Sequence, residues 1–500
     1  MKQTLTLLFL LATPAAAETL DADIAAYVDG HQKEIVTELL QAVSIPSVAA
    51  DRKNARRKAE FLQRRFSARG FSAELLETDG NPLVWAERKA RAADRTLLLY
   101  MHYDGQPVDP TQWSQDDPFR PVLRSGKLGE GERVLDIQPL ERFEDNWRIY
   151  ARSISDDTAP IFAVLAAIDG LEAAGVQPTV NLRVVLDGEE EAGSPSLVPA
   201  IDRYRDKLGA DLMLIFDGPR HASGRPTVVY GARGILALEL TVYGPKFPLH
   251  SGHYGNWAPN PALRLAQLLA SMKDEQGRVV IEGFYDGIDL DAATRRVLDA
   301  VPDNEAGLKQ LFGISQPDAV GATLQEAIQY PSLNIRGVRS AWVGSEARTI
   351  VPDTAVAAID VRLVKETPPE ATLEKILRHV RNQGYYIVDA EPDDATRAAH
   401  GKIVRIERRG GTKAFRTDLD DPLAQGIVDA LSSVSDAAPV KIRTSGGTVP
   451  ISPFIGALGF PALSVPTVNF DNNQHSPNEN LRLGHFFESI VMMAAIMTSE

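Results

Sequence analysis

The chain has 500 residues, too many for one simple core, so two domains are expected. Its 44% hydrophobic and 24% charged content is that of a soluble globular protein, and the lack of any cysteine excludes disulfides and thiolate chemistry. A formal charge of −14 argues against a nucleic-acid surface, which needs a basic stripe, and fits a protein acting on small molecules.

The first stretch, "MKQTLTLLFLLATPAAAE", has Lys2, an apolar run from Leu5 to Ala12, then Pro14 and three alanines. It reads as a signal peptide over residues 1–17, cleaved after Ala17, and so predicts a secreted or periplasmic protein. The run is well short of the roughly 20 apolar residues that a membrane span needs, and no other segment is long and apolar enough. From Ile24 to Phe71 the pattern is mostly helical, and the charge run "RKNARRKAEFLQRR" reads as a solvated helix face. Three apolar runs then read as buried parallel strands: Thr96–Met101, Asn181–Leu186 and Asp211–Phe216. A helix lies between the first two, with Pro160 near its start and Gly175 just past its end.

After Gly234 the texture changes. "ILALELTVYG" alternates like a half-exposed strand, and "NPALRLAQLLASMKD" is an amphipathic helix. Strands "PSLNIRGVRS" and "AVAAIDVRLV", helix "TLEKILRHVRNQG" and strand "YYIVDAE" follow. With an insertion at residues 276–329 set aside, the order is that of a ferredoxin-like domain. "RRGGT" near Gly410 reads as a turn. The predicted architecture is α/β. A catalytic domain with a mixed, mostly parallel sheet (phosphorylase/hydrolase-like) occupies residues 18–234 and 413–500. A ferredoxin-like α+β lid domain, residues 235–412, interrupts it.

Each buried strand ends in a metal-capable side chain. The first runs into His102 and Asp104. The second runs into "VVLDGEEEAGSP", with Asp187, Glu189, Glu190 and Glu191 in five positions. The third ends at Asp217. Ligands of open α/β sheets bind beyond the carboxyl ends of the strands. Crowded carboxylates repel, and divalent cations there would neutralise them. His102 and Asp104 are two apart, so on extended chain both point the same way. A carboxylate so placed fixes the tautomer of a ligating imidazole. "SISDDTAP" puts Asp156 and Asp157 before a helix, where plain N-capping is the competing reading. "NNQHSPNEN" puts His475 in a polar loop.

The segments "MHYDGQP", "ARSISDDTAP", "LDGEEEAGSPSL", "IFDGPR", "LHSGHYG", "RTIVPDTAVAAIDVRLV" and "NNQHSPNEN", in this order, span nearly the whole mature chain. With them the sequence resembles the dinuclear-zinc metallopeptidase family of carnosine-type dipeptidases, carboxypeptidase G, aminoacylases and succinyl-diaminopimelate desuccinylase, nearest its dipeptidase branch. The resemblance implies two divalent ions, zinc by default, with Mn²⁺ or Co²⁺ also suited to so many carboxylates. It implies His102 and Asp217 on one ion, Glu191 and His475 on the other, and Asp156 bridging. Glu190 would be the general base and Asp104 the support of His102. His250 would reach the oxyanion, from the partner subunit in dimeric members, so a homodimer through the lid domain is expected. Arg362, with Gly446, Gly447 and Thr448, would hold the substrate carboxylate.

The implied reaction is hydrolysis of an amide bond in a dipeptide or short peptide with a free C-terminal carboxylate. Deacylation of an N-acyl amino acid on the same scaffold is the alternative. A noncatalytic binding protein would lack a ligand or the base, and this chain has all of them. It departs from the family pattern G-R-G-x-x-D-D-K-G at Ser153, Thr158 and Ala159. It departs from T-R-E-G-G at Arg443 to Gly447.

Overall fold

A computed structural model describes residues 14–91 and 93–499. The expected leader, residues 1–17, lies mostly outside them, its apolar run wholly so, and Ala17 falls in a helix, Pro14–Gly30. Among the described residues no helix is long and apolar enough to cross a membrane. The chain divides into two compact units. One comprises residues 1–228, 417–440 and 457–500; the other comprises 229–416 and 441–456.

In the first unit, strands Ser72–Leu76, Leu83–Arg88, Asn181–Asp187, Thr96–His102, Leu212–Ile215 and Ala462–Ser464 lie side by side in that order. The first three pair antiparallel and the rest parallel, so the sheet is mixed with a parallel centre. The central strands are apolar runs because both faces are covered. Helix Ala159–Ala173 packs on Leu483–Thr498, and both are buried nearly all round, as helices without a polar face must be. Parallel pairing in register, with His102 opposite Asp187, brings the strand ends to one edge.

The second unit has a five-stranded sheet in the order Ser332–Arg339, Thr354–Leu363, Gly234–Tyr243, Ile403–Thr412, Tyr386–Val388. Helices Pro261–Ala270 and Pro369–Asn382 pack on it over Leu236, Leu238, Leu240 and Val242. The first four strands, antiparallel to one another where they pair, make the ferredoxin-like arrangement. The strand beside Gly234–Tyr243 is not the expected "YYIVDAE", which forms a short parallel edge strand. It is Ile403–Thr412, which contains "RRGGT". The glycines sit at a bulge: Ala237 faces Gly410 and Leu238 faces Arg408, leaving Arg409 as the extra residue. Gly234 must be glycine, because a Cβ there would run into the Thr412 carbonyl.

A second correction concerns residues 441–456, expected in the catalytic domain. They pack with the second unit because Ser445 N–H bonds to Gly231 O (2.8 Å) while Arg233 N–H bonds back to Gly447 O (3.1 Å). The insertion contributes Val279, Ile281 and Phe284 to this unit's core and carries three short helices, Ala292–Asp299, Glu305–Phe312 and Leu324–Ala327.

Candidate metal centre

His102 closes its strand fully buried, with Nε2 2.8 Å from Asp156 Oδ1 and Nδ1 3.2 Å from Asp104 Oδ1. Asp104 does a second job that its spacing to His102 did not announce. Its Oδ1 accepts the Glu190 N–H (3.2 Å) and its Oδ2 the Glu191 N–H (3.1 Å). One carboxylate thus sets the imidazole and anchors the turn that presents both glutamates. That turn begins at Gly188, where a Cβ would collide with the Tyr103 hydroxyl.

The acidic cluster is divided between two tasks. Asp187 turns inward, accepting from Ser194 Oγ (2.6 Å), Glu189 N–H (3.0 Å) and Tyr100 Oη (3.2 Å). Glu189 is buried too. The expectation that cations neutralise all four acids therefore narrows: of the four, Glu191 alone falls in a set of donors that could hold a cation.

Asp156 sits in the turn Ile154–Thr158 with each oxygen toward a different histidine. His475 Nε2 lies 3.1 Å from Asp156 Oδ2 and 3.2 Å from Glu191 Oε2. Yet Oδ2 is buried and makes no aligned hydrogen bond. His475 itself is in the left-handed region, φ 59°, within a loop that also holds Asn473 and Asn478 there. Backbone of this kind persists where its surroundings over-determine it.

Two sets of donors result. His102, Asp156 and Asp217 form one; Asp156, Glu191 and His475 form the other. Within each, one ligand atom per residue falls inside 4.8 Å of the rest. One imidazole and two carboxylates, with Asp156 common to both sets and an oxygen left unpaired, fit a pair of divalent cations.

The electrostatics agree. Burial, then the charge of Asp217, Glu191 and Asp156 against the pull of His102, pushes Glu190 up to about 9. Burial and then Asp156 push Glu191 up to about 7 and Asp217 up to about 6. His475, held by the nearby Asp156 and opposed by burial, rises to about 8. Burial works against a charged His102, but Asp104 and Asp156 keep its pKa well above the ordinary value. Protons therefore compete with cations for one excess of negative charge.

Two residues to which the sequence assigned no role support this centre. Glu479 is fully buried. Its Oε1 accepts the N–H groups of Ser155 (2.9 Å) and Asp156 (3.0 Å), and its Oε2 accepts Ser153 N–H and Arg152 Nη1, both at 2.9 Å. The signal was within reach, since Glu479 lies in the same motif as His475. Lys58 was read as part of a solvated helix face but is also fully buried. It belongs to the buried stripe Ala55, Lys58, Ala59, Leu62 and Phe66, whose helical spacing was the overlooked signal.

The remaining predicted residues lie in the second unit. His250 pairs in the short ladder Leu249–His250 with Ile350–Val351, and its exposed ring accepts the Gly252 N–H at Nδ1 (3.1 Å). Arg362 donates from Nη1 to Thr448 Oγ1 (2.8 Å), next to Gly446 and Gly447.

The profile of peptidase family M20/M25/M40 matches residues 98–499. The chain belongs to this family. Among M20 relatives it is 26% identical over 483 residues to the Cys-Gly metallodipeptidase dug1 of Schizosaccharomyces pombe, covering 93% of this chain and 94% of that one. It is 24% identical over 515 residues to human Beta-Ala-His dipeptidase, covering 97% and 94%. Among solved structures, the M20 family metallo-carboxypeptidase Sso-CP2 of Sulfolobus solfataricus aligns with a TM-score of 0.72 and 28% identity, over 93% of this chain and 98% of that one. As an M20 peptidase the protein is a hydrolytic metallopeptidase, with an α/β catalytic domain and a lid domain.

Two predictions follow from the geometry. Because ligands must shed protons to bind a cation, Mn²⁺ affinity should climb with pH between about 6 and about 8, as Asp217, Glu191 and His475 deprotonate. Calorimetric titration in buffers of different ionisation enthalpy would count the protons released; a pH-independent affinity contradicts this. Replacing Glu479 with Ala strands Arg152 and three backbone N–H groups, so unfolding in denaturant should show a loss of about 3–5 kcal/mol.

Proposed function

We propose that this peptidase hydrolyses dipeptides bearing a free C-terminal carboxylate. The observation that carries the reading is Asp156, whose two oxygens each face one histidine, with Glu190 beside them on a turn fixed by Asp104. His102, Asp217, Glu191 and His475 would hold two divalent ions around the shared Asp156, with zinc the default. When bound, such a pair supplies Lewis acidity and offsets the carboxylate charge. Glu190 accepts the proton of the attacking water and returns it to the leaving amine. Burial and then Asp217, Glu191 and Asp156 push Glu190 up, and cations held by those three carboxylates would offset their share and favour Glu190 as a base. Asp104 keeps Nδ1 of His102 as the donor and Nε2 turned to the centre.

Arg362, positioned by Thr448, would take the substrate carboxylate together with the Gly446–Gly447 backbone. His250 would face the developing oxyanion from a partner subunit. A homodimer through the lid is supported by its edge strand Ser332–Arg339, which leaves Ile335 and Val338 exposed, and by exposed Leu263 on the helix Pro261–Ala270. Export is supported by Lys2, the apolar run and the alanines before Glu18, together with the absence of cysteine.

A panel of dipeptides, their C-terminal amides and N-acyl amino acids, assayed with Zn²⁺ or Mn²⁺, tests the substrate class. Dipeptides should be preferred, and faster turnover of N-acyl amino acids would transfer the activity to deacylation. Glu190→Gln should leave metal uptake intact and lower kcat by about 10²–10⁴-fold. Normal turnover in that variant would remove Glu190 from the role of base. Sedimentation of a fully active monomer would remove the partner's part.

A further inference from the structure

Lys58 is an amine sealed inside the protein with no exposed surface, and among the described residues no carboxylate lies within ion-pair distance of it. A lysine ammonium has three N–H donors and no acceptor. Here each donor meets a hydroxyl: Ser47 Oγ at 3.1 Å, Ser153 Oγ at 3.2 Å and Thr158 Oγ1 at 3.0 Å. Burial pulls its pKa down to about 7, while Asp104, Glu479 and Asp157 act to keep it charged.

Ser153 and Thr158 bound the turn that carries Asp156. Ser153 is in the left-handed region, φ 57°, and its carbonyl accepts the Thr158 N–H at 3.1 Å. The ammonium therefore ties the two ends of that turn to each other and to Ser47. Ser153 and Thr158 are also two of the positions at which this chain departs from the pattern G-R-G-x-x-D-D-K-G. Thr158 stands where the pattern has lysine, and Lys58 brings an ammonium to its hydroxyl from helix Arg52–Ser67.

We propose that Lys58 is a positioning residue: by pinning Ser153 and Thr158 it fixes where the shared Asp156 carboxylate stands for the cations. This rests on the metal-centre reading above. Lys58 touches no reacting atom.

The test is Zn²⁺ titration of the metal-stripped full-length protein, with thermal unfolding of the same samples. Lys58→Met keeps the volume and removes the ammonium. It should weaken Zn²⁺ binding about tenfold or more, with the unfolding temperature of the metal-stripped protein little changed. Lys58→Met combined with Thr158→Lys restores an ammonium from the other side and should regain most of the affinity. A residue that merely filled space would leave Zn²⁺ affinity untouched in Lys58→Met and gain nothing from the second change; either result overturns the proposal. If Lys58→Met does not fold, Ser153→Ala with Thr158→Val removes two acceptors and keeps the lysine. Wild-type affinity in that variant also overturns it. Wild-type protein that takes up no Zn²⁺ would overturn the metal-centre reading itself, a separable outcome.

Discussion

Asp104, Asp156, Glu190, Glu191 and Asp217 are drawn together at the ends of three parallel strands, largely out of water. Burial first, and then the charge of neighbouring carboxylates, raises the proton affinity of Glu190, Glu191 and Asp217. The surrounding structure can be understood as the means of holding this unfavourable cluster in place. Backbone amides take up what the side chains cannot share: Asp104 accepts two and Glu479 accepts three. Each bond fixes a carboxylate without adding another charge.

The sheet makes this feasible. Parallel strands in register end at one edge, and their burial on both faces gives the edge a rigid floor. The turns beyond that floor are held from outside by long-range contacts. Arg152 grips both Glu479 and the carbonyl of Ser476, so the loop bearing His475 is anchored to the segment that leads into Asp156. Two distant stretches of sequence thus arrive as one object.

Much of this was legible in the sequence. Apolar runs ending in His or Asp revealed both the strands and their chemistry, because burial and strand-end placement leave a local signature. What was missed depends on partners far along the chain. Lys58 sits among six exposed or half-exposed basic residues of its helix, and only the spacing of Ala55, Ala59, Leu62 and Phe66 separates it from them. Glu479 serves backbone amides, which no side-chain pattern announces. Asp187 and Glu189 resemble Glu190 and Glu191 in sequence and differ only in which way the turn points them. "RRGGT" has the composition of a turn but is a bulged strand, since pairing with Gly234–Tyr243 outweighs the local preference of its glycines.

The two histidines at the centre differ in one respect that carries kinetic weight. His102 is sealed from solvent, whereas the His475 side chain keeps 55% of its surface exposed. An ion on the His475 side would have a short path to bulk solution, and one on the His102 side would have to wait for the protein to breathe. The two positions would then differ in residence time even with matched ligands, the outer one refilling quickly from the medium while the inner one keeps its occupant.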